Sequence, residues 1–184
     1  MTPAAPLLRR TGRTHSGRPF DIRPAGAGDA PALVALRDAV AAEGIWVAAE
    51  PGERTELEES LGLASLISHG GLCLVVEVEG RLAGQLAVHR QQGRYESHRG
   101  DLSITVAREH RDQGLGRALL ETAVDWARAV RLAKLTLGVF PENRRAVALY
   151  RSVGFVEEGR LRDHLRTGGE ERDLVLMGLL LAPR

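Results

Sequence analysis

The segment Val106-Ala-Arg-Glu-His-Arg-Asp-Gln-Gly-Leu-Gly-Arg-Ala-Leu-Leu120 constrains the fold of this chain more than any other. Before it, Asp101 to Val106 alternates polar and apolar residues, the period of a strand. After it, Leu115, Ala118, Leu119, Ala123, Trp126, Ala127 and Val130 recur at helical spacing. A strand therefore passes into a helix through a turn that carries Arg111, Gly114 and Gly116. Such a turn aims unpaired backbone N–H groups and the positive end of a helix dipole at one point in space. That is a site for a phosphate or pyrophosphate. Both glycines predict close approach of a ligand and freedom for positive φ, and Arg111 predicts a forked, charged donor.

Two phosphate motifs are excluded by composition at single positions. A dinucleotide fingerprint needs a third glycine where Leu119 stands. A nucleoside-triphosphate loop needs Gly-Lys-Ser/Thr, and the chain's only lysine is Lys134. The remaining R-x-x-G-x-G, followed by an amphipathic helix, resembles the acetyl-CoA pyrophosphate loop of the GNAT superfamily of acyl-CoA N-acyltransferases. Downstream, Lys134 to Phe140 reads as a strand, and Asn143 and Gly154 bracket a short helix as N-cap and C-terminal stop. Asn143-Arg-Arg-Ala-Val-Ala-Leu-Tyr150-Arg-Ser-Val-Gly-Phe155 resembles the second GNAT signature, N-x-x-A-x-x-L-Y-x-x-x-G-F. The resemblance covers about residues 72–181, with a weaker match back to Phe20.

The fold it implies is α/β: a mixed, mostly antiparallel central sheet with helices on both faces and splayed central strands. The remaining patterns fit that order. Phe20 to Pro24 reads as a strand, and Asp29 as the cap of a helix to about Glu43. Thr55-Glu-Leu-Glu58 is a capping box opening a second helix to about Ser68. Leu72–Glu79 pairs with Leu82–Gln91 in a hairpin, Ser97–Ala107 is the strand entering the phosphate turn, and Val156–Leu165 pairs with Arg172–Leu181.

The resemblance also implies chemistry. Acetyl-CoA would be the cosubstrate, held by the backbone around Val106, Arg111, Gln113, Gly114, Leu115, Gly116, Arg117 and Ala118, with Asn143 on the pantetheine arm and no metal involved. Tyr150 sits where the family's general acid sits, ready to protonate the departing thiolate. For the base, Asp101 shares one face of its strand with Ser103 and Thr105, a polar stripe that predicts a cavity or groove; His98 and Glu77 rank behind it. Glu43, Trp46 and Glu50 predict an anionic, aromatic-walled mouth for a cationic amine. The stretch Glu157 to Leu165 with Asp173 and Met177 resembles branches that acetylate amino acids, polyamines or protein N-termini, but Glu171 stands where an aromatic is common. The expected acceptor is a small-molecule primary amine of amino-acid or polyamine type. The alternatives are a protein N-terminus and, in another class, a non-catalytic acyl-CoA-binding module.

Charge and length bound the rest. With 184 residues the chain predicts a single domain over residues 20–184. A net charge of +1 and the lack of any apolar run of spanning length point away from nucleic acid and membrane as partners. Residues 1–19 hold Arg9, Arg10, Arg13 and Arg18 and no acid, and predict a flexible basic extension without a signal-peptide pattern. The lone Cys73, in an aliphatic run, predicts a small core residue in a cytoplasmic protein. The apolar stretch Leu174 to Leu181 predicts either a homodimer contact or a strand covered on both faces.

Overall fold

In a computed structural model of the chain, residues 8–44, 46–47 and 49–181 are described. Eight strands form one sheet: β1 (Arg10–Arg13), β2 (Pro19–Pro24), β3 (Leu72–Val78), β4 (Arg81–Arg90), β5 (Arg99–Val106), β6 (Lys134–Val139), β7 (Val156–Thr167) and β8 (Glu170–Leu180). Four helices join them: α1 (Ala30–Ala41), α2 (Glu56–Ser68), α3 (Leu115–Ala129) and α4 (Arg144–Val153). The strand order is β1-β2-β3-β4-β5-β6-β8-β7, antiparallel throughout except for β5 and β6. None of the helices among the described residues is long and apolar enough to cross a membrane.

Local chemistry sets the helix ends. The Thr55 hydroxyl accepts from the Glu58 N–H while the Glu58 carboxylate accepts from the Thr55 N–H, the reciprocal box its spacing predicts. Asn143 caps α4 by accepting from the Ala146 N–H, and Gly154 ends it in the left-handed region at φ 107°. Asp29 precedes α1 but does not cap it; its carboxylate takes the Gly26 N–H and both terminal nitrogens of Arg23.

The core lies on both faces of the sheet. Leu119, Leu120, Ala123 and Ala127 of α3 and Tyr150 of α4 pack with Phe155 on Ile22, Leu74, Val76, Leu86, Leu102 and Leu135. On the other face, Leu33, Leu63 and Leu66 from α1 and α2 cover Cys73 and Val75. Strand β3 is thus buried on both sides, which explains its unbroken apolar run.

Two sequence expectations are corrected here. Of the stretch read as a flexible extension, residues 1–7 lie outside the described residues, but Arg10–Arg13 pairs with Pro19–Ile22 as the sheet's edge strand. Arg9 is held to Asp21 and Arg10 to Glu121, so its charges find acids on the body of the domain. The apolar run near the end, expected as a homodimer contact or as a strand covered on both faces, is β8, which lies between β6 and β7 with β7 at the edge, and only one of its faces is covered. Val175 and Met177 fill the core, whereas Leu176 and Leu180 stay on the outer face.

Candidate active site

The antiparallel ladders decide where the sheet opens. The Ala107 N–H bonds the Ala83 carbonyl, so Thr105, Ser103 and Asp101 direct their peptide groups to β4, and Ile104 and Val106 direct theirs toward β6. The Leu181 N–H bonds the Ala133 carbonyl, so by the same alternation Gly138 faces β5. Yet β5 and β6 pair only from Arg99–Lys134 to Asp101–Thr136. Beyond that point the strands part. The peptide groups of Ile104, Val106 and Gly138 line the gap without a strand partner.

Next to the gap, Gly114 takes φ 88° and turns the chain into α3. The helical ladder starts when the Ala118 N–H reaches the Gly114 carbonyl, at 3.1 Å. Among the described residues, no protein acceptor meets the N–H groups of residues 113–117. They lie at the positive end of a 15-residue helix. Gly114 has the positive φ that its sequence context predicts; Gly116 does not. Gly116 is helical, and a Cβ there would stand 2.9 Å from the Leu149 side chain, so its role is the close approach of α4 to α3.

One cavity of about 740 Å³ joins these features. It is lined by Gly114, Gly116 and Arg117 at the loop, by Leu102 to Val106 and Gly138 to Phe140 along the gap, and by Asn143 and Tyr150 from α4. Its far wall is apolar: Val40, Trp46 and Val47 on one side, Leu165 and Leu174 on the other. Tyr150 is 7 % exposed and its ring is tilted against Phe155, centroids 6.0 Å apart. Burial pushes its phenol up to about 12, so it stays protonated across the neutral range. The Asn143 carbonyl oxygen is spent on the α4 cap, which leaves its NH₂ group for the cavity.

Several expected site residues are elsewhere engaged. Arg111 lines the cavity, but its guanidinium forks onto Glu43 at 2.7 and 2.5 Å, and its Nε donates to the Val106 carbonyl at 3.0 Å. The pair is 13 % and 16 % exposed, and Arg111 holds the Glu43 carboxyl below the usual range. Glu43 therefore offers no free charge to an amine; it also accepts from Trp46 Nε1. Glu50 is exposed and outside the lining. Leu115 is a core side chain, Ala118 has spent its N–H, and the Gln113 side chain faces Ser16. The Arg117 guanidinium lines the cavity edge while bonding Ser152.

Asp101 is corrected as well. It sits where β5 and β6 are still paired, outside the cavity lining, and its carboxylate accepts from Gln91, Arg99 and Thr136. Its stripe-mates Ser103 and Thr105 do reach the cavity. Of the other base candidates, Glu77 is bonded to Arg23, and His98 is outside the lining. Cys73 is buried and its thiol is pushed up to about 12 by burial, which leaves it unreactive at neutral pH. Among the described residues no cluster of His, Cys, Asp and Glu could hold a metal ion.

Sequence reasoning missed His15. It is brought in from a turn nearly a hundred residues away in the chain, and no local pattern marks it.

Comparison with known proteins gives matches of three kinds. The family model described as acetyltransferase (GNAT) family matches residues 35–155. Among solved structures, a GNAT-family acetyltransferase from Streptococcus pneumoniae is 32 % identical, with a TM-score of 0.82 over 89 % of this chain and 99 % of that one. A ribosomal-protein-alanine N-acetyltransferase from Brucella melitensis is 30 % identical, with a TM-score of 0.79 over 87 % and 99 %. A spermidine N(1)-acetyltransferase from Vibrio cholerae is 36 % identical over 87 residues, 47 % of this chain and 50 % of that protein. The chain thus spans about half the length of such curated relatives.

Proposed function

The chain belongs to the GNAT family of acetyltransferases, and on that premise we propose that it transfers the acetyl group of acetyl-CoA to the primary amine of a small molecule, by direct attack in a ternary complex. One observation carries this reading. A single cavity connects Gly114, Gly116 and Arg117 at the start of α3, the open edges of β5 and β6, Tyr150 and the apolar mouth.

Each part has a task in that reaction. Acetyl-CoA supplies a thioester whose carbonyl is open to an amine. The N–H groups of residues 113–117 bind its pyrophosphate, and the exposed peptide groups of Ile104 and Gly138 bind the pantetheine amides as an added strand would. The Asn143 NH₂ group adds a donor from α4. The Val106 carbonyl is occupied by Arg111, which leaves its N–H to polarise the thioester carbonyl as an oxyanion donor. Tyr150 gives its proton to the departing sulfur; a phenol pushed up to about 12 suits an acid and not a base. Proton removal from the amine is assigned to solvent reached past Ser103 and Thr105, because Asp101 is held outside the cavity.

The mouth favours an amine on an apolar body, such as an amino acid with an apolar side chain. Trp46, Val47, Leu165 and Leu174 present hydrophobic surface, while Glu43 is neutralised by Arg111 and Glu50 lies outside the lining. Among the described residues, a polycation would find no free carboxylate there. The test is release of free thiol from acetyl-CoA with a panel of amino acids, polyamines and short peptides. Turnover with apolar amino acids and little with spermidine is the expected outcome. Preference for peptides would transfer the assignment to protein N-termini. Tight acetyl-CoA binding with no turnover on any amine would leave a binding module.

A further inference from the structure

The turn between β1 and β2, residues 14–18, sits on the phosphate loop although nearly a hundred residues separate them. The His15 N–H donates to the Gln113 carbonyl at 3.1 Å, and Ser16 Oγ donates to Gln113 Oε1 at 2.7 Å. His15 Nδ1 lies 3.0 Å from the Asp112 carbonyl oxygen. A carbonyl can only accept, so Nδ1 carries the hydrogen. The opposite nitrogen is then the one left over. Nε2 stands 3.1 Å from where a Cβ on Gly114 would be, on the cavity lining, with no hydrogen-bond partner among the described residues.

The turn that aims this ring is itself locked. The Thr14 N–H bonds the Arg18 carbonyl at 2.8 Å, the Arg18 N–H bonds Thr14 Oγ1 at 3.0 Å, and Arg13 reaches the Gly17 carbonyl at 2.8 Å. Thr14 is buried. The imidazole is therefore oriented at both ends, by its own backbone and by its Nδ1–H, and directs Nε2 over the loop whose N–H groups have no acceptor.

We propose that the β1–β2 turn is the outer wall of the phosphate end of this groove and that His15 is a phosphate-binding residue, its Nε2–H in the imidazolium form donating to the diphosphate ester bound by residues 113–117. This inference rests on the acyl-CoA reading above. It gives the basic segment at the start of the chain a function: β1 pairs with β2 to hold the His15 imidazole against the loop. It also explains why position 114 has two reasons to be glycine, its positive φ and the closeness of His15.

Two substitutions separate ligand binding from scaffolding. Asparagine reproduces the Nδ1 donor and lacks the distal one; glutamine extends a donor to the Nε2 position and loses the proximal one. Calorimetry with acetyl-CoA and with S-acetylpantetheine, which has no phosphate, reads the outcome. His15→Asn is expected to weaken acetyl-CoA about tenfold, the scale of a charge-assisted hydrogen bond. His15→Gln should keep most of the affinity, and S-acetylpantetheine should bind equally to all three proteins. Wild-type affinity in His15→Asn, or a loss in His15→Gln as large as in His15→Asn, overturns the inference alone. Wild-type protein that binds neither probe overturns it together with the functional reading.

Discussion

The two ends of the cavity are built on different principles. The end proposed for the phosphate is mostly backbone: consecutive N–H groups from residues 113–117, one left-handed glycine, and the start of α3. The mouth is mostly side chain, assembled from α1, the loop after it, β7 and β8. A backbone site survives changes of side chain and fails when the path of the chain is disturbed. A side-chain site depends on which charges are already satisfied by the protein's own partners. Glu43 illustrates the second case, since it is an acid at the mouth whose charge belongs to Arg111.

The largest expected effect tests the backbone end. Gly116→Glu puts a negative charge and a side chain at the first turn of α3, and acetyl-CoA binding should weaken about a hundredfold or more by calorimetry. Its Cβ also meets Leu149, so stability should fall by about 1–2 kcal/mol. Gly116→Ala shares the contact without the charge, and should lose stability but retain most of the affinity. If both variants bind acetyl-CoA as the wild type does, the loop is not the phosphate site.

Between the two ends, Tyr150→Phe preserves volume and removes only the proton. Turnover should drop roughly 10²-fold with acetyl-CoA affinity nearly unchanged. Unaltered turnover would reduce Tyr150 to a core residue packed on Phe155.

At the mouth, Glu43→Gln leaves the Arg111 guanidinium without its counter-charge. A loss of about 2 kcal/mol in stability at neutral pH is expected, measured by denaturant unfolding. The pH dependence has a definite sign. Arg111 lowers the native Glu43 pKa, so its contribution is present above the ordinary carboxylate range and is lost as pH falls through the lowered native value. The difference between wild type and variant should therefore be constant at neutral pH and shrink in acid. A difference that grows in acid would contradict the ion pair.

The smallest effect is at Glu50. Glu50→Gln should change the KM for the amine less than about twofold, because the residue lies outside the lining. A large change would restore an anionic mouth.

Much of the fold was readable where information is local. The alternation from Asp101 to Val106, the helical spacing after Gly114, the Thr55–Glu58 box and the Asn143 and Gly154 caps all act over a few residues. The resemblance to the two GNAT signatures joined these pieces into an order of elements. What stayed hidden depended on partners far away in the chain. Gly116 reads as a loop glycine until Leu149 is seen against it. Arg111 reads as a phosphate ligand until Glu43, 68 residues away, is found on its fork. The run from Leu174 to Leu181 reads equally as a homodimer contact or as a strand covered on both faces until β8 is seen between β6 and β7 with Leu180 still exposed.

By itself the sequence determined that a strand would turn through Gly114 into an amphipathic helix, and hence that N–H groups without a helical acceptor would gather at its start, because hydrophobic period and backbone freedom are properties of neighbouring residues. Only the tertiary structure decided which charges remained available around it. Long-range packing committed Arg111 to Glu43, drew Asp101 into a network with Gln91, Arg99 and Thr136, and laid His15 over Gly114. An ion pair or a hydrogen bond requires approach to within a few ångströms, and distance across a folded chain is not written in separation along it.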